Sequence, residues 1–440
     1  MTDKMMRLAM FLFPGYHFGA WRLPDAIPEI DLGIEHYVRA AKLAEEGKFD
    51  AIFFEDQAAV PRSNNILKGD TFGGASPRGI HFDPMMLLPA LARETKHLGV
   101  VATASTTFND PYNLARRFAS IDFISNGRAG WNLVTTFNEN EAQNFGFDAL
   151  LDHASRYERA NEFFDVAAGL WEGWDKGAIT RDKETGTYFD LTKMHFLQHK
   201  GKYFNVRGPL TMDRSPQVRP VIFQAGSSEP GRELAARTAD VIFTEQPSLD
   251  AARSFRKDVR NRAVRFGRDP DKIKVLPNFM PIVGKTDQEA RDLHARMREL
   301  VPDDLAIGWL MQNAGGLDFR NFDLDGPMPD LPETNAGKTM RDNILDVARR
   351  ENLSIRQTAR HFGESPAQRL IGSPSTIADR MQEWLEGDGC DGFAVSPTHY
   401  PSGVEDFVRL VVPELQRRGV FRKEYSGQHL RDHLGVTSYN

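Results

Sequence analysis

The stretch LGVVATASTTFNDPYNLARRFASIDFISNGRAGWNLVTT, Leu98–Thr136, holds one complete unit of the fold. Leu98–Thr107 is an apolar and hydroxyl-bearing run of strand length, Tyr112–Ile124 carries apolar residues at helical spacing, and Arg128–Thr136 is a second strand. Strand, helix and strand in this order predict parallel strands joined by a helical crossover. Toward the N-terminus the same rhythm continues: Pro84–Lys96 reads as a helix and Asp50–Glu55 (DAIFFE) as a strand. Gly33–Gly47 reads as a helix closed by a C-terminal glycine, and Arg7–Phe13 as the first strand.

Toward the C-terminus, His153–Trp174 reads as a long helix and Pro220–Ala225 as a strand. Pro230–Thr238 is a helix, Asp240–Thr244, Ile273–Val283 and Asp391–Val395 are strands, and Val404–Arg418 is a closing helix. Counting strands to eight predicts an α/β fold, a (β/α)8 TIM barrel, spanning 1–440 as one domain. An open doubly wound sheet is the alternative. Residues 57–82, 175–219 and 303–340 lack a sustained period and are expected to be insertions. The last, with its glycines, is a candidate lid.

Composition narrows the function. The chain of 440 residues is 40% hydrophobic and 26% charged, enough for a large core, with a formal net charge of −6 that offers no basic field for nucleic acid. A lone cysteine, Cys390, forms neither an internal disulfide nor a cysteine-rich metal site, and suits a reducing cytoplasm. The apolar run Leu8–Phe13 is too short to cross a bilayer and no small-residue cleavage pattern follows it. His195/His199 and His429/His433 have a spacing that could place two imidazoles on one helical face, but neither pair has a carboxylate in the metalloprotease pattern, so no metal is expected. Walker A, GxGxxG and GxSxG patterns are absent.

PVIFQAGSSEPGRELAAR, Pro220–Arg237, is the clearest chemical signal: a buried strand ends in Gly226, Ser227 and Ser228 and a helix begins. Unpaired amides, the positive end of the helix dipole and two hydroxyls suit a phosphate, with Gly226 allowing close approach; a plain N-cap is the competing reading. His153 and Tyr157, four apart, share one helical face beside Arg156, which is either a ligand-facing pair or an ordinary packed one. Alternation sets Thr103, Ser105 and Thr107 on one face of their strand. Asp56 ends its strand as an acceptor at the barrel's C-terminal face, or else is satisfied by loop amides. Phe18, Trp21, Phe54 and Phe108 could wall a pocket or belong to the core, and Arg62, Lys68 and Arg78 suit an anionic substrate or a solvated loop.

Taken in order, GYHFGAWRLPDA (Gly15–Ala26), FDAIFFED (Phe49–Asp56), TASTTFNDPYNLARRFASIDFISNGRAGWNLVTT (Thr103–Thr136), NFGFDALLDHASRYERANEF and VIFQAGSSEPGRELAARTADVIFTEQ follow the motifs of one family. The chain resembles the flavin-dependent monooxygenases of the bacterial luciferase superfamily. The branch is that of nitrilotriacetate monooxygenase component A and the EDTA, dibenzothiophene-sulfone and long-chain alkane monooxygenases. The resemblance runs from about Met6 to the closing VVPELQRRGVFRKEY and RDHLG.

It implies a barrel that holds FMN as FMNH2, supplied by a separate NAD(P)H:FMN reductase. Such a barrel activates O2 as a flavin peroxide and inserts one oxygen atom into a small organic substrate, an aminopolycarboxylate, organosulfur, aromatic or similar xenobiotic. Asp56, Thr103, His153, Tyr157 and Ser228 match the family's flavin-binding positions. Gly226 and Ser227 extend the phosphate cradle, and Ser105 or Thr107 would face the flavin's reactive edge. His17 matches a histidine near the substrate and is a candidate proton donor or orienting group. A dimer or tetramer is implied. The alternatives are a deazaflavin-dependent hydride-transfer enzyme of the same superfamily, a non-catalytic flavin-binding protein, and a barrel isomerase or aldolase using the phosphate site for its substrate.

Overall fold

Strands with no exposed residue form the centre of the molecule. AIFF, VIFQ, VIFT and GFAV are buried at every position, because a parallel sheet closed on itself and covered by helices leaves neither face to water. The computed structural model describes residues 4–13, 17–60, 79–136, 139–314, 317–331, 338–363 and 368–439. Its barrel strands are β1 (Arg7–Phe11), β2 (Ala51–Phe54), β3 (Gly99–Ser105), β4 (Ala129–Val134), β5 (Val221–Gln224), β6 (Val241–Thr244), β7 (Lys274–Val283) and β8 (Gly392–Val395). Each pairs in parallel with its neighbours in chain order, and β8 returns to β1 from Arg7↔Gly392 to Met10↔Val395. That last ladder closes the (β/α)8 barrel and excludes the open sheet. Glycine is required at this seam: a Cβ on Gly392 would lie 1.8 Å from the Arg7 carbonyl oxygen.

Helices wrap the outside. Trp131 of β4 points outward between Phe118 and Phe163, with ring centroids 5.9 Å from each, and its indole N–H donates to the Ala104 carbonyl at 3.0 Å. Inside, Phe53, Val101, Phe223 and Leu276 fill the lower barrel, and Leu430, Leu434 and Val436 of the C-terminal segment cap it from below. A buried ion pair locks that cap: Arg422 contacts Asp50 and donates to the His433 carbonyl at 3.0 Å, while Asp50 also accepts from the Leu8 amide at 2.8 Å. The N-terminal mouth is therefore filled.

The irregular connections hold more structure than their composition suggests. Between β7 and β8 lie helices Asp287–Glu299, Asp303–Asn313, Lys338–Arg350, Ile355–Phe362 and Pro374–Glu386, and a strand, Gln368–Gly372, pairs with the outer half of β7. The start of the expected lid is thus helical. Leu305, Trp309, Leu310, Ile344 and Ile355 form a separate small core there, into which Phe18 inserts. In the segment 175–219, His195 and His199 do not share a helical face: His195 contacts Asp175 at 2.9 Å, and His199, in a two-residue strand, contacts Glu162 at 3.1 Å. Arg62, Lys68 and Arg78 lie outside the described residues. Among the described residues no helix is long and apolar enough to cross a membrane.

Candidate active site

With the lower barrel packed, the strands' C-terminal ends surround a cavity of about 440 Å³, a size typical of small-molecule sites. Its apolar floor is Phe11, Phe53 and Phe243, with ring centroids 4.7 Å apart for Phe11–Phe53 and 4.6 Å for Phe53–Phe243. None of Phe18, Trp21, Phe54 and Phe108 is among the residues that line it. Side chains alternate across a strand, so Phe53 faces in and Phe54 faces out, toward Tyr37. Phe108 stacks on Phe145 instead.

One wall is built for an anion. Ser228 caps the helix Glu229–Thr238, its Oγ accepting from the Gly231 amide at 3.3 Å, so the N-cap reading of this serine holds. The cap leaves other donors unused: among the described hydrogen bonds none is donated by the amides of Ser227, Ser228 or Glu229, the arrangement that makes a helix N-terminus an anion site. The turn is as tight as backbone allows, since a Cβ on Gly226 would sit 2.9 Å from the Gly231 Cα, and one on Gly231 would sit 3.0 Å from the Tyr157 hydroxyl. Tyr157 comes within 3.4 Å of Ser228 Oγ, and its ring lies 4.9 Å from that of His153, as their four-residue spacing requires. His153, Arg156, Tyr157 and Ser227 line the cavity; Gly226 and Ser228 flank Ser227 in the chain and are not among the lining residues.

A second wall presents an unfilled acceptor. Thr103 of β3 donates its hydroxyl proton to the Phe54 carbonyl at 2.9 Å and accepts from Asn132 Nδ2 at 2.9 Å. Because that proton is committed to a carbonyl, Asn132 must turn its NH2 to Thr103, which points its Oδ1 away. This buried oxygen has no hydrogen-bond partner among the described residues, and Asn132 lines the cavity. An orphaned acceptor carries a desolvation penalty that a bound N–H or O–H would relieve. Its signal in the sequence was one polar residue within the apolar strand AGWNLV, in register with Thr103.

Ser105 and Thr107 act one layer back. Ser105 Oγ lies 2.6 Å from Thr136 Oγ1, and Thr107 donates to the Thr135 carbonyl at 2.7 Å. Thr135 and Thr136 line the cavity; Ser105 and Thr107 do not. Thr136 has φ 52°, a left-handed conformation that is strained for a β-branched residue, and the Ser105 contact helps hold it. His17 is fully buried with Nδ1 accepting from the Gly19 amide at 3.2 Å, and it does not border the described cavity.

The cavity is acidic. Burial pushes the Asp56 carboxyl up to about 6, with Asp83 and Glu55 adding to the rise and His81 opposing it. Glu245, one residue past β6, lines the cavity, and desolvation pushes its carboxyl up to about 8, opposed by the bond from Asn278. Glu55 and Glu245 went unnoticed in the sequence, because a single residue just past a strand end carries no spacing signal; Asn278, inside β7, is that strand's lone amide and was missed too. Among the described residues no cluster of His, Cys, Asp and Glu is placed to hold a metal ion.

The donor set fits a flavin mononucleotide: an anion cradle at one end, an enclosed apolar floor for a ring, and polar wall groups between. Residues 6–392 match the model of the luciferase-like monooxygenase family. The chain is 44% identical to nitrilotriacetate monooxygenase component A of Aminobacter aminovorans, over 99% of this chain and 97% of that one. It is 42% identical to the N-acetyl-S-(2-succino)cysteine monooxygenase of Bacillus subtilis, over 98% and 97%. The solved structure of the EDTA monooxygenase from a Chelativorans species superposes with a TM-score of 0.84 at 32% identity, covering 99% of each chain. The chain therefore belongs to the luciferase-like monooxygenase family, and is a monooxygenase built on its closed barrel.

Proposed function

We propose that the protein is the oxygenase component of a two-component system, which takes FMNH2 from a separate NAD(P)H:FMN reductase and uses O2 to oxidise a small organic molecule. The carrying observation is the pairing of an anion cradle on one cavity wall with an orphaned acceptor on another. Ser227, Ser228, His153 and Tyr157 would bind the phosphate, with Gly226 admitting it to the backbone amides. Asn132 Oδ1, fixed by Thr103, suits a ring N–H. FMNH2 carries ring N–H groups at N1 and N5 that oxidised flavin lacks, so this acceptor favours the reduced form. Asp56, when ionised, is a second acceptor for ring or ribityl donors. Ser105 acts through Thr136.

When bound, reduced FMN supplies the electrons that let one atom of O2 enter the substrate while the other leaves as water. The protein's task is to hold the ring, admit the substrate and keep water out. Phe11, Phe53 and Phe243 seal the floor. The burial of His17 and its bond to the Gly19 amide support an orienting role in the loop after β1. The relatives' activities make an aminopolycarboxylate, an organosulfur compound or a similar xenobiotic the substrate class. A cytoplasmic dimer or tetramer completes the reading.

Anaerobic titration with reduced and oxidised FMN, followed by an oxygen pulse, tests it. Tighter binding of the reduced form and flavin oxidation on the pulse are expected. Binding without oxygen consumption would favour a hydride-transfer or flavin-carrying protein, and binding of neither form would defeat the proposal.

A further inference from the structure

We infer, on the phosphate reading of the Gly226–Glu229 turn, that Gln224 is a further ligand of the anion received there, its side-chain amide aimed into the cradle by the turn it supports. Gln224 ends β5 as the one polar residue of VIFQ, and it is 3% exposed. A buried carboxamide brings one acceptor and two N–H donors that need partners. The acceptor has its partner: Gln224 Oε1 accepts from the Gly226 amide at 2.9 Å. Only an oxygen can accept from that N–H, which fixes the two ends of the carboxamide. Nε2 is thereby turned the other way, and among the described residues it donates no hydrogen bond. This nitrogen is not enclosed by protein, and Gln224 borders the cavity.

Gly226 sets where the nitrogen stands. A Cβ on that glycine would lie 2.4 Å from Gln224 Nε2 and 2.9 Å from the Gly231 Cα, so the carboxamide packs on the bare face of the glycine, beside the first turn of the helix Glu229–Thr238. His153, Tyr157 and Ser227 border the same cavity, and the Ser227, Ser228 and Glu229 amides are uncommitted at the end of that helix. Gln224 adds two N–H groups to this set of donors. A buried donor without a partner carries a desolvation penalty that an anionic oxygen relieves. Because the Gly226 bond has already fixed the side chain, the oxygen meets these donors without having to order them. Gln224 therefore does two things with one amide: Oε1 holds the turn, and Nε2 binds what the turn receives.

Fluorescence titration of the flavin-free, full-length protein with FMN and with riboflavin, which lacks the phosphate, tests the assignment. Gln224→Glu keeps an acceptor for the Gly226 amide and puts a carboxylate oxygen where the two N–H groups stand. At about pH 8 its FMN affinity should fall at least about 10-fold, the worth of a hydrogen bond to a charged group, while riboflavin affinity changes by less than about 2-fold. Acid protonates the new carboxylate and restores a donor, so the deficit in FMN affinity, taken against wild type at the same pH, should shrink toward about pH 5.5. A residue that only supported the turn would weaken both flavins together and show no recovery in acid. Equal losses for the two flavins, an undiminished preference for FMN, or a deficit independent of pH would overturn the proposal. A wild type that binds both flavins alike would defeat the phosphate reading itself, and this assignment with it. If Gln224→Glu does not fold, the crystal structure of the wild type with FMN decides: a phosphate oxygen within about 3.2 Å of Nε2 is expected, and a phosphate seated beyond its reach or absent from the cradle would overturn the assignment.

Discussion

Acidification should loosen this barrel from its N-terminal end, and His433 is the reason. Its side chain is fully buried in the C-terminal segment that caps the strands, with ring centroids 4.9 Å from Tyr425 and 6.3 Å from His97. Neither ring nitrogen makes a well-formed hydrogen bond among the described residues, and the nearby Gly427 backbone only partly offsets the cost of charging the ring. Burial pushes its pKa down to about 4; Arg422 and His97 also lower it, and Asp50 opposes them. The unfolded chain binds this proton near pH 6.5 and the folded one only near 4, so stability is full above about 6.5 and falls as the pH drops toward 4. At about 1.36 kcal/mol per unit the whole window is worth about 3 kcal/mol, of which about 2 kcal/mol is lost between pH 7 and pH 5. Paired urea unfolding of wild type and His433→Phe at those two pH values isolates the effect, because other titrating groups cancel in the difference. Phenylalanine keeps the ring packing and gives up at most the weak Gly427 backbone contact. The wild type should lose about 2 kcal/mol more than the variant on acidification. An equal loss in both proteins would show that His433 is protonated in the folded state without penalty, and the account of the cap would be wrong.

Three further outcomes follow from the site. Gly226→Ala should weaken FMN binding by on the order of 10-fold and destabilise the fold by about 1–3 kcal/mol, since the new methyl meets the Gly231 backbone; unchanged affinity in a fluorescence titration would refute the tight cradle. Asn132→Leu should reduce the preference for reduced over oxidised FMN by about 2- to 10-fold, the worth of one hydrogen bond, and an unaltered ratio of the two dissociation constants would count against the orphaned-acceptor argument. Asp56, pushed up to about 6, gains its proton as the pH falls through that value and stops accepting, so flavin affinity should drop below about pH 6 in wild type and be flat there in Asp56→Asn. The same drop in both would assign the titration to another group.

The luciferase-like membership, the barrel and the tight turn at Gly226–Ser228 are legible in the chain itself, because their causes are local. An apolar run of strand length, helical spacing at His153 and Tyr157, and a glycine with two serines before a helix each depend on neighbours a few residues away. Strand ends were set one or two residues too far out, since Thr106, Thr107, Thr135 and Thr136 look like strand but leave the ladder at the cavity rim. What folding alone decided is which distant side chains meet. Phe53 rather than Phe54 became the floor, because only closing the barrel shows which face of β2 is inside. Ser105 was turned from a wall residue into the support of Thr136. Phe53 and Phe243, 190 positions apart in the chain, meet with ring centroids 4.6 Å apart across the ring of eight strands, and no periodicity along a sequence records a contact across a barrel.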